Sequence, residues 1–162
     1  MEYEPLESNT SSGSVGVAQS ALVENYWKYS DKKCVVIKLD CCMMKTKEGL
    51  FNQFAQAFKF PEYFGENWSA FNDCVTDLGW ITADAYSVLL LNSEFILADE
   101  SSDQFDIFIR IISEAADEWS KPVAENDRWD RLAIPFHIIF QASGENTTHF
   151  AERLERLEAL FE

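Results

Sequence analysis

The sequence predicts an α/β domain, a small three-stranded parallel sheet packed with helices. Two observations predict it. Three short runs are continuously apolar and rich in branched or aromatic residues: Cys34–Leu39 (CVVIKL), Tyr86–Leu91 (YSVLLL) and Pro135–Gln141 (PFHIIFQ). Such runs suit strands covered on both faces, as in a parallel sheet. The segments between them place apolar residues at helical spacing, which gives the order β, two helices, β, helix, β, helix. Periodicity does not reveal the lateral order of the strands.

The elements follow in chain order. Residues 1 to about 30 are largely Ser-, Gly- and Glu-rich and read as a mobile tail. Within it, Ala21–Tyr29 is weakly amphipathic, with Leu22, Tyr26 or Trp27 able to dock. After the first strand, Thr46 can cap a helix to Phe58 whose Leu50, Phe51, Phe54, Ala57 and Phe58 share a face. Pro61 and Gly65 then mark a turn, and Asn67 is a good N-cap for a second helix. In that helix Trp68, Phe71, Cys74, Val75 and Leu78 fall on one side, while Ser69, Asp73, Thr76 and Asp77 fall on the other. A longer helix over Ser101–Trp119 sets Phe105, Ile109, Ile112, Ala116 and Trp119 inward. Its outer face carries Asp106, Arg110, Ser113, Glu114 and Asp117. Residues 121–131 read as a polar loop. A turn at Ser143–Asn146 leads to a last helix, Thr147–Phe161, with Phe150, Leu154, Leu157 and Phe161 on one face. Within 143–162 this amphipathic helix covers the domain or pairs with a partner; its pattern suits both.

Charge narrows the function. The chain of 162 residues has 13 Lys and Arg against 28 Asp and Glu, a net charge of −15. That disfavours sequence-independent nucleic-acid binding, which needs cations to replace counterions, and anionic membrane surfaces. It suits a basic protein partner. From Phe60 to Ile109 there is no Lys, Arg or His, while ten acids fall in the same window. Acidity by itself also serves solubility, but a cation-free window repels itself and calls for a further reason.

Catalytic chemistry finds little support. Cys34, Cys41, Cys42 and Cys74 include no CxxC pair, and His137 and His149 are the only imidazoles. No metal site is expected, and reduced, mostly buried thiols in a cytoplasmic protein are. A phosphate-cradling glycine loop and an activated nucleophile are both missing. Glu62 and Asp73 are conceivable as a general acid and base, yet nothing in the pattern separates their pKa values. The reading is of a protein without enzymatic activity and without a cofactor. A signal peptide and a membrane-spanning run are also not expected.

The stretch PEYFGENW, an alanine two residues on, and NDCVTDLGW resembles the signature of the barstar family, small acidic inhibitors of secreted bacterial ribonucleases. The likeness runs from about Lys33 to Gln141 and includes a strand and helix before the signature. After it come a strand, a helix containing Ser113–Ala115 (SEA) and a final strand. The resemblance implies a barstar-like domain over residues 31–142, with the N-terminal extension and the C-terminal helix outside it. It implies a bacterial immunity protein or antitoxin that covers the active site of a basic, extracellular-type ribonuclease or related toxin. On this resemblance Tyr63 is the turn tyrosine that contacts the enzyme, Gly65 and Asn67 shape the helix start, and Asn67 also faces the target. Asp73 stands for a substrate phosphate, Thr76 is a contact one turn later, and Glu114 is a peripheral acidic contact. Ser69 also lies on the contact face, where the family's prototype has a second aspartate. Asn72 and Leu78 stand where the prototype has tryptophans. An acidic module that neutralises a non-ribonuclease partner is the rival reading.

Overall fold

The computed structural model describes residues 14–17, 33–124, 130–142, 144 and 146–161, with backbone alone at 14–17, 147 and 157–161. The strands are β1 (Ser14–Val17), β2 (Cys34–Asp40), β3 (Ala85–Leu91) and β4 (Phe136–Gln141). The helices are α1 (Lys47–Phe58), α2 (Trp68–Asp77), α3 (Ser102–Trp119) and α4 (Asn146–Phe161). Short 3₁₀ turns at Cys41–Met43 and Ser93–Phe95 follow β2 and β3.

The expected three-stranded parallel sheet is present as β2, β3 and β4. β3 is central, in register Val88 to Ile37 on one side and Val88 to Ile138 on the other. A fourth strand extends it. β1 pairs in parallel with β4, from Ser14 opposite His137 to Val17 opposite Phe140, which gives the order β1-β4-β3-β2. This corrects the reading of residues 14–17 as mobile tail. A four-residue SVGV segment carries little local strand signal, and pairing to a distant strand is what fixes it. Leu22, Tyr26 and Trp27 lie outside the described residues, as do residues 125–129 of the polar loop and the side chains of Thr147, Leu157 and Phe161.

β2 differs from the fully buried strand expected. It lies at a sheet edge, only Leu39 is fully buried, and Val36 is 37% exposed. The helix-covered face of the sheet carries Leu39, Tyr86, Val88, Leu90, Phe136, Ile138 and Phe140, all buried. α4 joins this core through Phe150, whose ring lies 5.2 Å from Phe140 and 5.9 Å from Phe105, and through buried Leu154.

Indole N–H groups link several of these elements. Trp80 Nε1 donates to Phe58 O, the last carbonyl of α1, at 2.8 Å. Trp119 Nε1 donates to Val75 O in the last turn of α2 at 2.9 Å. Carbonyls in a final turn lack intrahelical partners, so each indole caps a helix end. Trp68 Nε1 donates to Gln104 Oε1 at 2.9 Å. Trp68 and Gln104 begin their helices and Val75 and Trp119 end theirs, so α2 and α3 run in the same general direction.

Candidate functional site

Local sequence fixes α2 and the turn before it. Thr46 Oγ1 caps α1 by accepting from Gly49 N, and Asn67 Oδ1 caps α2 by accepting from Ala70 N at 2.9 Å. Asn67 Nδ2 also donates to Gly65 O at 3.1 Å, so one side chain holds both the turn and the helix start. Gly65 serves space rather than left-handed backbone: a Cβ there meets Asn67 Nδ2 at 3.0 Å. The left-handed residue is Glu66, at φ 49°. For a non-glycine residue that conformation is uncommon and costs about 1 kcal/mol or more.

The inner side of α2 rests on an aromatic bed. Phe71 lies 5.0 Å from Phe54 and 6.2 Å from Phe108, and Trp68 lies 4.9 Å from Phe51. Phe64 is half-buried, packing edge-on to Phe60 at 5.0 Å, while its neighbour Tyr63 is 78% exposed. Cys74 is a buried core thiol. Burial pushes its pKa up, and the carboxylates of Asp73 and Asp77 push it further, so it is a poor nucleophile.

The outer side of α2 faces water. Ser69 and Asp73 are exposed and Thr76 is half-buried. The Thr76 hydroxyl donates back to Asn72 O at 2.8 Å, which leaves its lone pairs to accept. Among the described residues, the one salt bridge within 4 Å joins Lys121 and Asp117, so Asp73 is unpaired. Tyr63, Asn67, Ser69, Asp73 and Thr76 thus belong to one turn and one helix. Glu114 is on the neighbouring α3, exposed, and makes no ion pair with Arg110 four residues earlier. Leu78 is 1% exposed and takes the left-handed C-cap position of α2 at φ 43°, so it serves the core.

The sequence reading missed a cleft beside this surface. Lys47, Glu48 and Phe51 of α1 meet Glu66, Asn67 and Trp68 around about 240 Å³. The acids that flank it are eighteen residues apart in sequence, and only the packing of α1 against the α2 start joins them. The remaining thiols divide: Cys41 is buried, Cys34 half-buried and Cys42 exposed, and all are free. The exposed Cys42 departs from the expectation of mostly buried thiols, since the 3₁₀ turn after β2 carries it out of the sheet. Among the described residues no group of His, Cys, Asp and Glu is arranged to hold a metal ion, and no helix is long and apolar enough to cross a membrane.

A turn and an acidic helix, packed on the aromatic bed from behind and unpaired in front among the described residues, present an acidic surface on an α/β domain. Residues 34–141 match the family described as Barstar (barnase inhibitor), and the chain belongs to that family. A comparison with curated proteins finds no match.

Proposed function

We propose that the chain is a protein inhibitor that blocks the active site of a basic ribonuclease, as a bacterial immunity protein or antitoxin acting in the cytoplasm. The observation that carries this reading is Asp73. It is exposed and unpaired in the middle of a helix whose other side is anchored in the core, and its family is one of barnase inhibitors. An inhibitor surface of this kind needs no reacting group. It presents a carboxylate where the enzyme expects a phosphate and excludes water around it.

Each contact has a physical role. Asp73 enters the cationic pocket, where removing it leaves the enzyme's cations buried and unpaired. Tyr63 supplies a broad amphipathic ring that costs little entropy to order. Asn67 holds the turn in its bound shape before binding, which lowers the ordering cost. Ser69 and Thr76 offer hydroxyls at the flanks of Asp73, and Glu114 adds a rim charge that aids encounter more than affinity.

A second reading has its own support. Ser69 is neutral, Asn72 is half-buried and Leu78 is withdrawn into the core. This surface is therefore less charged and less bulky than the prototype's, which favours a partner of different shape, including a toxin that is not a ribonuclease.

Titration of the purified protein into barnase, and into any basic ribonuclease encoded beside its gene, tests the first reading. Stoichiometric loss of RNA cleavage is expected from at least one. Full activity of both, together with recovery of a non-nuclease from the native cell, assigns the surface to the second reading.

A further inference from the structure

The cleft between α1 and the start of α2 continues the proposed contact surface, because Asn67 belongs to both. Its lining combines two aromatic rings with charges of both signs. Phe51 is buried, and Trp68 is half-buried and anchored through its indole N–H to Gln104. Glu48 and Glu66 are exposed and make no hydrogen bond or ion pair with the described residues. Glu66 brings its carboxylate there from a left-handed backbone.

Two helix N-termini border the cleft, and by themselves they favour an anion. Three of their N–H groups are already engaged, however. Lys47 N donates to Glu100 Oε1 at 2.9 Å, Gly49 N to Thr46 Oγ1 at 3.2 Å and Ala70 N to Asn67 Oδ1 at 2.9 Å. The cleft's own cation is Lys47; Asp103, whose pKa is lowered first by hydrogen bonds from Ser101 and Gln104, also feels its charge. What the lining offers a visitor is the half-buried Trp68 ring and two carboxylates that outweigh the one lysine.

We propose that this cleft takes an arginine side chain of the basic partner, its guanidinium against the half-buried Trp68 ring and its N–H groups toward Glu48 and Glu66. A planar, weakly hydrated guanidinium stacks on aromatic rings and forks to carboxylates, which a lysine ammonium does less well. For the partner's being basic the proposal rests on the function proposed above, while the cleft's preference for guanidinium is a property of this chain alone.

The test uses that separation. Nα-acetyl-arginine methylamide is titrated at millimolar concentrations into the intact protein while the Trp68 indole N–H resonance is followed. Nα-acetyl-norleucine methylamide and Nα-acetyl-glutamate methylamide serve as apolar and anionic comparisons. A saturable shift with the arginine probe is expected, at least fivefold weaker in the Glu48→Gln/Glu66→Gln variant and absent with the other two. Both substitutions are at exposed positions and keep side-chain size, and the remaining indole resonances report that the variant is folded. Equal binding of the norleucine probe, preference for the glutamate probe, or no saturable shift at all overturns the proposal. Failure to inhibit a ribonuclease leaves these shifts as they are and overturns only the function proposed above.

Discussion

His137 illustrates what a single residue contributes. It lies half-buried in β4, and burial lowers its pKa below the usual histidine value. The folded state therefore favours neutral imidazole. Above the ordinary histidine pKa of about 6.5 both states are neutral and no penalty applies. As the pH falls through that value the unfolded chain takes up a proton that the folded chain resists, so stability declines with acid until the folded pKa is passed. Denaturant midpoints of wild-type and His137→Gln protein between pH 7.5 and 5 check this. The wild-type midpoint is expected to fall more than the variant's, and parallel curves contradict the assignment. Asp73 and Glu66 show how residue-level reading divides. The role proposed for Asp73 rests on residue type and position, both visible in sequence. The strain at Glu66 was hidden behind Gly65, since the glycine is the residue that turn chemistry ordinarily points to.

At the scale of elements, helix ends explain what holds the proposed contact surface in place. α2 is only ten residues long, too short to persist by itself, and tertiary contacts must hold it. Asn67 closes its start and the Trp119 indole closes its end, bonding to Val75 O. Trp119→Phe keeps most of the apolar area but leaves that buried carbonyl without its donor. A loss of about 1–3 kcal/mol is expected in chemical denaturation. A change within about 0.3 kcal/mol shows instead that the carbonyl finds another partner. The helices themselves were legible, because Thr46 and Asn67 announce the starts of α1 and α2 and most of the expected stripe residues are buried, though α3 also buries Phe108, Ile111 and Ala115. The indole caps were not, since each joins a tryptophan to a carbonyl on another element, and no local pattern encodes that meeting. β1 was missed for the same reason: its register against β4 is set more than one hundred residues away.

At the scale of the whole molecule, the described helices share one core, and α2 turns its acidic side away from it. The C-terminal helix belongs to that core through Phe150, wedged between Phe105 and Phe140, and through the Arg153 guanidinium 3.6 Å over the Phe105 ring. Phe150→Ala is expected to cost about 3–5 kcal/mol in denaturant unfolding. A loss under 1 kcal/mol is the outcome expected of a helix that is only loosely attached. On the proposed function the overall charge steers encounter with a basic partner, and position distinguishes Asp73 from the other acids. The most direct measurement compares Asp73→Asn with Asp99→Asn in binding to the ribonuclease that the wild-type protein inhibits. Both changes remove one negative charge, and Asp99 is exposed and lies outside the proposed contact set. The account predicts that Asp73→Asn weakens binding by about 2–5 kcal/mol, a range that rests in part on complexes of this same family, mainly through faster dissociation. Asp99→Asn is predicted to change it by less than about 0.5 kcal/mol. Equal effects of the two substitutions, or none from Asp73→Asn, contradict the claim that the outer side of α2 enters the enzyme's active site.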